Sequence, residues 1–206
     1  MKKLLQIALL PLIFSLSSCS SDQDKTENHK VNETESVINW KGSAPDHFHI
    51  GSFKVTGELK ADGDGKLKSG SFTIPISSIE NYDLEDPVKK QLLDHLKSSD
   101  FFDMAVHPNA KFNLLKVTSY SGGNKEEVVN GANYTLTGDF TMIGQTHSIS
   151  FPAKVSTNAD GSLKVEAKFK IDRTKWGMLT DSDPAQPLYI LPNVDIELEL
   201  ITSKAK

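Results

Sequence analysis

The sequence predicts an all-β protein: an eight-stranded antiparallel up-and-down barrel with one short helix inserted between strands. Three observations predict it. Eight stretches alternate apolar and polar residues at a period of two, so each has a greasy face and a wet one, as in an antiparallel sheet with a single buried side. Clusters of turn-forming residues separate several neighbouring stretches at hairpin length. The alternation is also long and regular enough for a sheet closed on itself, whose interior would be apolar and a candidate container.

The N-terminus is set aside from the fold. Met1-Lys2-Lys3 is a basic start and Leu4 to Leu16 an apolar run of signal-peptide length, too short for a membrane span. Leu16-Ser17-Ser18-Cys19 then places a Leu and two small residues before the only cysteine, a pattern that resembles a bacterial lipoprotein signal. Residues 1–18 are therefore expected to be a signal peptide, with Cys19 the lipidated first residue of the mature chain. Residues 19–35 are polar, lack an apolar period and read as the lipidated Cys with a flexible tether. Residues 36–206 form one expected domain.

Loss of Lys2 and Lys3 takes the basic count from 23 to 21 against 27 acidic residues, and the net charge from −4 to about −6. That balance argues against nucleic acid as a partner, because the phosphate backbone needs a basic face. With Cys19 consumed no disulfide is left, so the domain must stabilise itself by burial although it is exported to an oxidising compartment.

The expected strands are 36–42, 49–60, 66–79, 110–118, 133–142, 147–157, 162–172 and 193–203. In the second, His49, Gly51, Phe53, Val55, Gly57 and Leu59 share one face and Ile50, Ser52, Lys54, Thr56, Glu58 and Lys60 the other. Phe72, Ile74 and Ile76 share a face of the third; Tyr134, Leu136, Phe140 and Met142 oppose Thr135, Thr137 and Thr141 in the fifth. The sixth aligns His147, Ile149, Phe151, Ala153 and Val155, and the seventh Leu163, Val165, Ala167, Phe169 and Ile171. In the last, Val194, Ile196, Leu198 and Leu200 oppose Asp195, Glu197 and Glu199. Asp62-Gly63-Asp64-Gly65, Ile143-Gly144-Gln145-Thr146 and Asn158-Ala159-Asp160-Gly161 supply hairpin connections.

One segment breaks the strand rhythm. Asp86 as N-cap and Pro87 in the first helical position precede Val88, Leu92 and Leu96 at spacing four, with Leu93 widening the stripe. This predicts a short amphipathic helix covering one mouth of the barrel, with its leucines at the interior or its rim.

After the helix the chain reads His95-Leu96-Lys97-Ser98-Ser99-Asp100-Phe101-Phe102-Asp103, then Pro108 and Phe112. Together with Tyr134-x-x-x-Gly138-x-Phe140-x-x-x-Gly144 and Phe169-x-Ile171-x-Arg173-x-x-x-Gly177, this resembles the YceI-like family of exported, lipocalin-like barrels. The likeness covers nearly the whole mature domain. It departs at His107, where a Tyr is common, and in the first strand, where Asn39-Trp40-Lys41 replaces a His-Ser pair, so a role for a first-strand histidine does not transfer. His49 matches a family histidine at the start of the second strand. The resemblance implies binding of polyisoprenoids or other long-chain amphiphiles, and barrels that are often paired as homodimers.

An eight-stranded barrel is wide enough either to be filled by its own side chains or to hold one small ligand. The pattern alone leaves both open; the resemblance favours a ligand. Candidate lumen contacts are Phe53, Val55 and Leu59 of the second strand, Phe72 and Ile74 of the third, and Phe112 and Leu114 of the fourth. Tyr134, Leu136 and Phe140 come from the fifth, Ile149 and Phe151 from the sixth, Val165 and Phe169 from the seventh, and Ile196 and Leu198 from the last. Leu92, Leu96, Phe101 and Phe102 are candidates at the helix end, although the two phenylalanines also fit a plug of core below it. Burying about ten methylenes at about 0.8 kcal/mol each yields roughly 8 kcal/mol before ordering costs, close to micromolar affinity.

Candidates for contact with a head group at the mouth are His49, His95 and Arg173, beside Asp100. Each has a plainer reading. Arg173 is expected to pin its loop to Asp100 or Asp103 as an ion pair, and His95 to hydrogen-bond the last carbonyls of the helix. His47 and His49 lie two apart on one strand, but no carboxylate or cysteine accompanies them at ligand spacing, so no metal or other cofactor is expected. Asp62 to Gly65 lacks the remaining ligands and flanking helices of a calcium loop. No nucleophile elbow, phosphate-binding glycine loop or spare cysteine points to an enzyme.

The resulting expectation is non-covalent binding of a long-chain isoprenoid or fatty amphiphile in the lumen, for carriage or sequestration on the periplasmic side of a bacterial envelope. Ser20 after Cys19 favours an outer-membrane anchor. The alternative is a structural or adaptor envelope protein with a filled core and no ligand.

Overall fold

The computed structural model describes residues 26–123 and 125–204, so the expected signal peptide and Cys19 lie outside the described residues. Eleven strands and one helix follow in order: β1 Glu27–Val31, β2 Val37–Ser43, β3 Phe48–Phe53, β4 Thr56–Ala61, β5 Leu67–Pro75, β6 Glu80–Asn81, α1 Val88–Lys97, β7 Asn109–Ser119, β8 Tyr134–Met142, β9 Gln145–Thr157, β10 Leu163–Asp172 and β11 Asn193–Lys204.

These eleven segments make eight staves of one closed antiparallel barrel. β11 pairs with β2 through its first half, Val194 opposite Gly42, and with β1 through its second, Val31 opposite Thr202. β1 and β2 are thus halves of one bent stave, as β3 and β4 are of the next; β2 pairs with β3 and β1 with β4. The turn 32–36 interrupts the first stave, and there the buried Ser36 substitutes for the ladder: its hydroxyl donates to the Ile201 carbonyl at 3.1 Å and accepts the Ile201 N–H at 3.0 Å. A buried backbone group left without such a partner would cost about as much as a lost hydrogen bond.

Three expectations need correction. The stretch assigned to the tether up to residue 35 is folded from Glu27, because β1 completes the wall between β4 and β11. Its few apolar residues hid it, since Val31 and His29 alone are buried. The single strands expected over 49–60 and 66–79 are each broken, the first at Lys54-Val55 and the second by a 3₁₀ turn at Ile76–Ser78 that follows Pro75. Helix α1 starts one residue later than expected, with Pro87 at the N-cap and no side-chain cap from Asp86.

The expected hairpins form. Ile143 and Gly144 have φ of 51° and 71°, the left-handed pair that joins β8 to β9 with the twist of the strands. The staves place the connections 44–47, 82–108, 143–144 and 173–192 at one end, the mouth, and 62–66, 120–133 and 158–162 at the other, the floor. Among the described residues no helix is long and apolar enough to cross a membrane.

One joint in the wall is incomplete. β9 and β10 pair only from Thr157 opposite Leu163 to Ala153 opposite Ala167, although β10 pairs with β11 along its whole length. The ladder stops next to Pro152, which has no N–H to donate. Towards the mouth, side chains instead of backbone bonds close this joint.

Candidate functional site

The barrel encloses a cavity of about 870 Å³ that opens at the mouth. Its wall is built by the period-two rule, each strand sending alternate residues inward. Leu59, Leu67, Val165 and Leu200 form its lower end. Beneath them Val31, Ala61 and Leu163 belong to the buried core, and His29 is buried at the same end. His29 is 2 % exposed and neither ring nitrogen has a hydrogen-bond partner; burial holds its pKa below the usual histidine value, partly offset by the Glu27 carboxylate 3.9 Å away.

At mid-height four phenylalanines from four strands form a continuous belt. Phe72 lies 6.2 Å from Phe112, Phe112 5.7 Å from Phe151, and Phe151 4.1 Å from Phe169, measured between ring centroids. Gly138 on β8 is what lets Phe112 lie there, since a Cβ at that position would come within 2.6 Å of its ring and 2.3 Å of the Asn113 carbonyl. A similar close approach holds at Gly51, where a Cβ would meet the Glu80 carbonyl at 1.8 Å and the Trp40 indole at 2.7 Å.

The structure places Phe53, Val55, Phe72, Ile74, Phe112, Leu114, Leu136, Phe140, Ile149, Phe151, Phe169, Ile196 and Leu198 on the cavity wall, with Leu92, Leu96, Phe101 and Phe102 at its upper end. Phe53 and Phe102 meet edge to face at 5.6 Å, joining the wall to the segment after the helix. Tyr134 is the exception. Its parity is right but its depth is not: it begins β8 opposite Ala153 and Ser119, at the floor end, and packs against core outside the cavity.

Sequence reasoning missed other parts of the wall. Ile38 and Trp40 of the first stave line it, and alternation within 37–42 could have shown them. The loop residues Pro187, Leu188, Tyr189 and Ile190 also line it; their signal was the apolar run from Leu188 to Leu191, overlooked in a long non-strand connection. Trp40 brings a buried indole N–H that has no partner.

All three expected head-group residues reach the mouth, and Arg173 and His95 have partners other than those expected. Arg173 does not pair with Asp100 or Asp103. Its guanidinium donates to the carbonyls of Met178 at 2.6 Å, Ile190 at 3.0 Å and Leu191 at 3.4 Å, so it fastens both ends of the 173–192 loop. Burial lowers its pKa, opposed by Asp181 and Asp172. His95 bonds Asp100, Nε2 to Oδ2 at 3.1 Å, with its ring against the Phe101 edge, while Ser98 takes the helix-end carbonyl expected of it.

His49 Nδ1 lies 2.7 Å from Asp83 Oδ2. The other Asp83 oxygen accepts the Ile50 N–H at 2.8 Å and the Asn81 amide at 2.7 Å. Burial alone would raise the Asp83 carboxyl, but these hydrogen bonds outweigh it and hold it below the usual carboxylate range. A carboxylate therefore does accompany the histidine pair, brought from 34 residues away where spacing along one strand could not reveal it. Among the described residues no cluster of three or more His, Cys, Asp or Glu side chains is arranged to hold a metal ion.

The YceI-like domain model matches residues 29–201, nearly all of the barrel with its mouth segments. The chain belongs to the YceI-like family. Solved structures share the fold of this YceI-like barrel. Burkholderia cenocepacia BcnA is 23 % identical and superposes with a TM-score of 0.64 over 83 % of this chain and 98 % of its own. A polyisoprenoid binding domain from Saccharophagus degradans, implicated in plant cell wall breakdown, is 11 % identical with a TM-score of 0.63, covering 86 % of this chain and 98 % of that one. The Campylobacter jejuni YceI protein is 20 % identical with a TM-score of 0.51, over 74 % and 81 %. A search of curated protein sequences finds no match.

Proposed function

We propose that this YceI-like barrel holds one long-chain isoprenoid or fatty amphiphile non-covalently in its lumen, for carriage or sequestration in a bacterial envelope. The observation that carries the reading is the cavity itself: about 870 Å³, walled by aliphatic and phenylalanine side chains and open at one end. A space this apolar excludes polar ligands by leaving their hydrogen-bonding groups unpaired, and rewards each methylene by about 0.8 kcal/mol. The neighbouring polyisoprenoid binding domain supports the ligand class. The filled-core alternative loses its premise, because the lumen is not filled.

The chain acts here by binding and not by catalysis. Its mouth would select the head group through His49 and His95, whose ring nitrogens sit beside Asp83 and Asp100. Arg173, buried and with three of its five N–H donors on loop carbonyls, acts chiefly by shaping the mouth. Export, lipidation at Cys19 and a place on the periplasmic side of the outer membrane complete the proposal, motivated by Met1 to Cys19.

Native mass spectrometry of the chain from Ser20 onward, purified from bacteria without detergent and followed by organic extraction, tests it. The expected result is a stoichiometric adduct that extracts as a prenyl or acyl chain. A bare mass that stays bare after incubation with isoprenoid quinones and long-chain amides would overturn it.

A further inference from the structure

The barrel is apolar in a second place, around its lip. Of the large apolar side chains left exposed among the described residues, only Leu115 lies away from the mouth end. Phe48, Val88, Val106, Leu179 and Leu188 are 50, 52, 66, 61 and 73 % exposed. They come from the start of β3 and from the 82–108 and 173–192 connections around one opening, and Leu188 is at once the most exposed of them and part of the cavity wall. A protein partner is usually met by one clustered hot spot. Apolar side chains spread around a rim fit a laterally uniform surface instead, and exposed apolar groups concentrated at one site mark an interaction face. The segments 44–47, 82–108 and 173–192 also carry more carboxylates than cations, which disfavours an anionic surface.

The chain enters the barrel at the opposite pole. β1 begins at Glu27, paired with Ala61, and Lys204 closes an ion pair onto Glu27 there. The eight residues from Cys19 to Glu27 reach at most about 28 Å even when fully extended. Twelve residues of β11, tilted as barrel strands are, give the wall a height of about 30 Å. The tether is thus no longer than the wall is high, before the mouth loops above it are added, so a chain anchored at Cys19 presents its mouth away from the bilayer that holds it.

We infer that the rim docks on a neutral or zwitterionic bilayer, and that this is a different bilayer from the one anchoring the N-terminus, so that the barrel bridges two membrane surfaces with its mouth on the far one. The inference rests on the reading of Cys19 as the anchor and of the lumen as a lipid site. Docking lets a chain pass between bilayer and lumen without crossing water.

The test uses the chain from Cys19 onward, whose single cysteine couples to a maleimide lipid in phosphatidylcholine vesicles. Mixed with plain phosphatidylcholine vesicles, the coupled protein is expected to cluster them, read by light scattering, at least tenfold faster than a Phe48→Asp/Leu188→Asp variant of unchanged circular dichroism and melting temperature. The uncoupled Cys19→Ser chain is expected to co-float with plain vesicles. Failure to co-float would overturn the docking and leave a protein as the rim's occupant; co-flotation without clustering would overturn the bridging geometry. Equal behaviour of the aspartate variant would overturn the rim as the contact. Ligand uptake, measured separately by native mass on the same chain, reads the lumen: uptake without vesicle binding overturns the docking alone, and vesicle binding without uptake overturns the lumen reading alone.

Discussion

Phe151 and Phe169 stack face to face, with ring centroids 4.1 Å apart and planes 8° from parallel, just above the point where β9 and β10 stop exchanging backbone hydrogen bonds. The stack does for the wall what the ladder does elsewhere. It joins by side-chain packing two strands that Pro152, lacking an N–H, keeps from continuing their ladder.

Phe151→Ala should therefore fall at the upper end of what Phe-to-Ala truncations cost, about 5 kcal/mol in denaturant unfolding. Hydrogen exchange should rise selectively over 146–151 and 169–172. Uniform exchange across the barrel after the substitution would mean that the stack does not seal this joint.

Filling the lumen should separate stability from function. Ile149→Trp directs an indole from the cavity wall into the open lumen. The melting temperature should stay within a few degrees of the parent, while the lipid adduct in native mass spectra should fall at least tenfold. Undiminished loading would mean that the ligand lies elsewhere.

Arg173→Lys keeps the charge but cannot reach three carbonyls at once, because an ammonium lacks the planar fork of a guanidinium. The expected cost is about 2 kcal/mol, with limited proteolysis opening first inside 173–192. Because these bonds span Met178 to Leu191, cleavage elsewhere would disprove the pinning role.

His29 links stability to pH. Its folded pKa lies below the ordinary value near 6.5, so on acidification the unfolded chain takes up the proton first and stability falls as pH drops below 6.5 towards the folded pKa. One such proton gives a slope of at most about 1.4 kcal/mol per pH unit. In His29→Leu this part of the slope should disappear from unfolding curves recorded between pH 7 and pH 5; an unchanged slope would assign it to other groups.

Much of the barrel was legible because its staves alternate cleanly. The parity of Phe72, Phe112, Leu136, Phe151 and Phe169 is set by covalent geometry, and with one face buried no other register is stable. Parity does not report depth, which is why Tyr134 reads as a wall residue yet sits at the floor. The first half-stave escaped for a related reason: five residues with two buried positions carry too short an alternation to stand out from a polar tether.

By itself the sequence determined the strand order, the hairpins, the helix before β7, the apolar character of the lumen and the family, because these follow from local periodicity, turn chemistry and contiguous motifs. Only the tertiary structure decided that the lumen is open, that His49 meets Asp83, and that Arg173 holds carbonyls instead of Asp100. It alone showed the exposed lip opposite the chain's point of entry. Those outcomes depend on how far apart eight staves stand and which distant residues that spacing brings within 3 Å. Such distances are set by the closure of the whole sheet and by no segment within it.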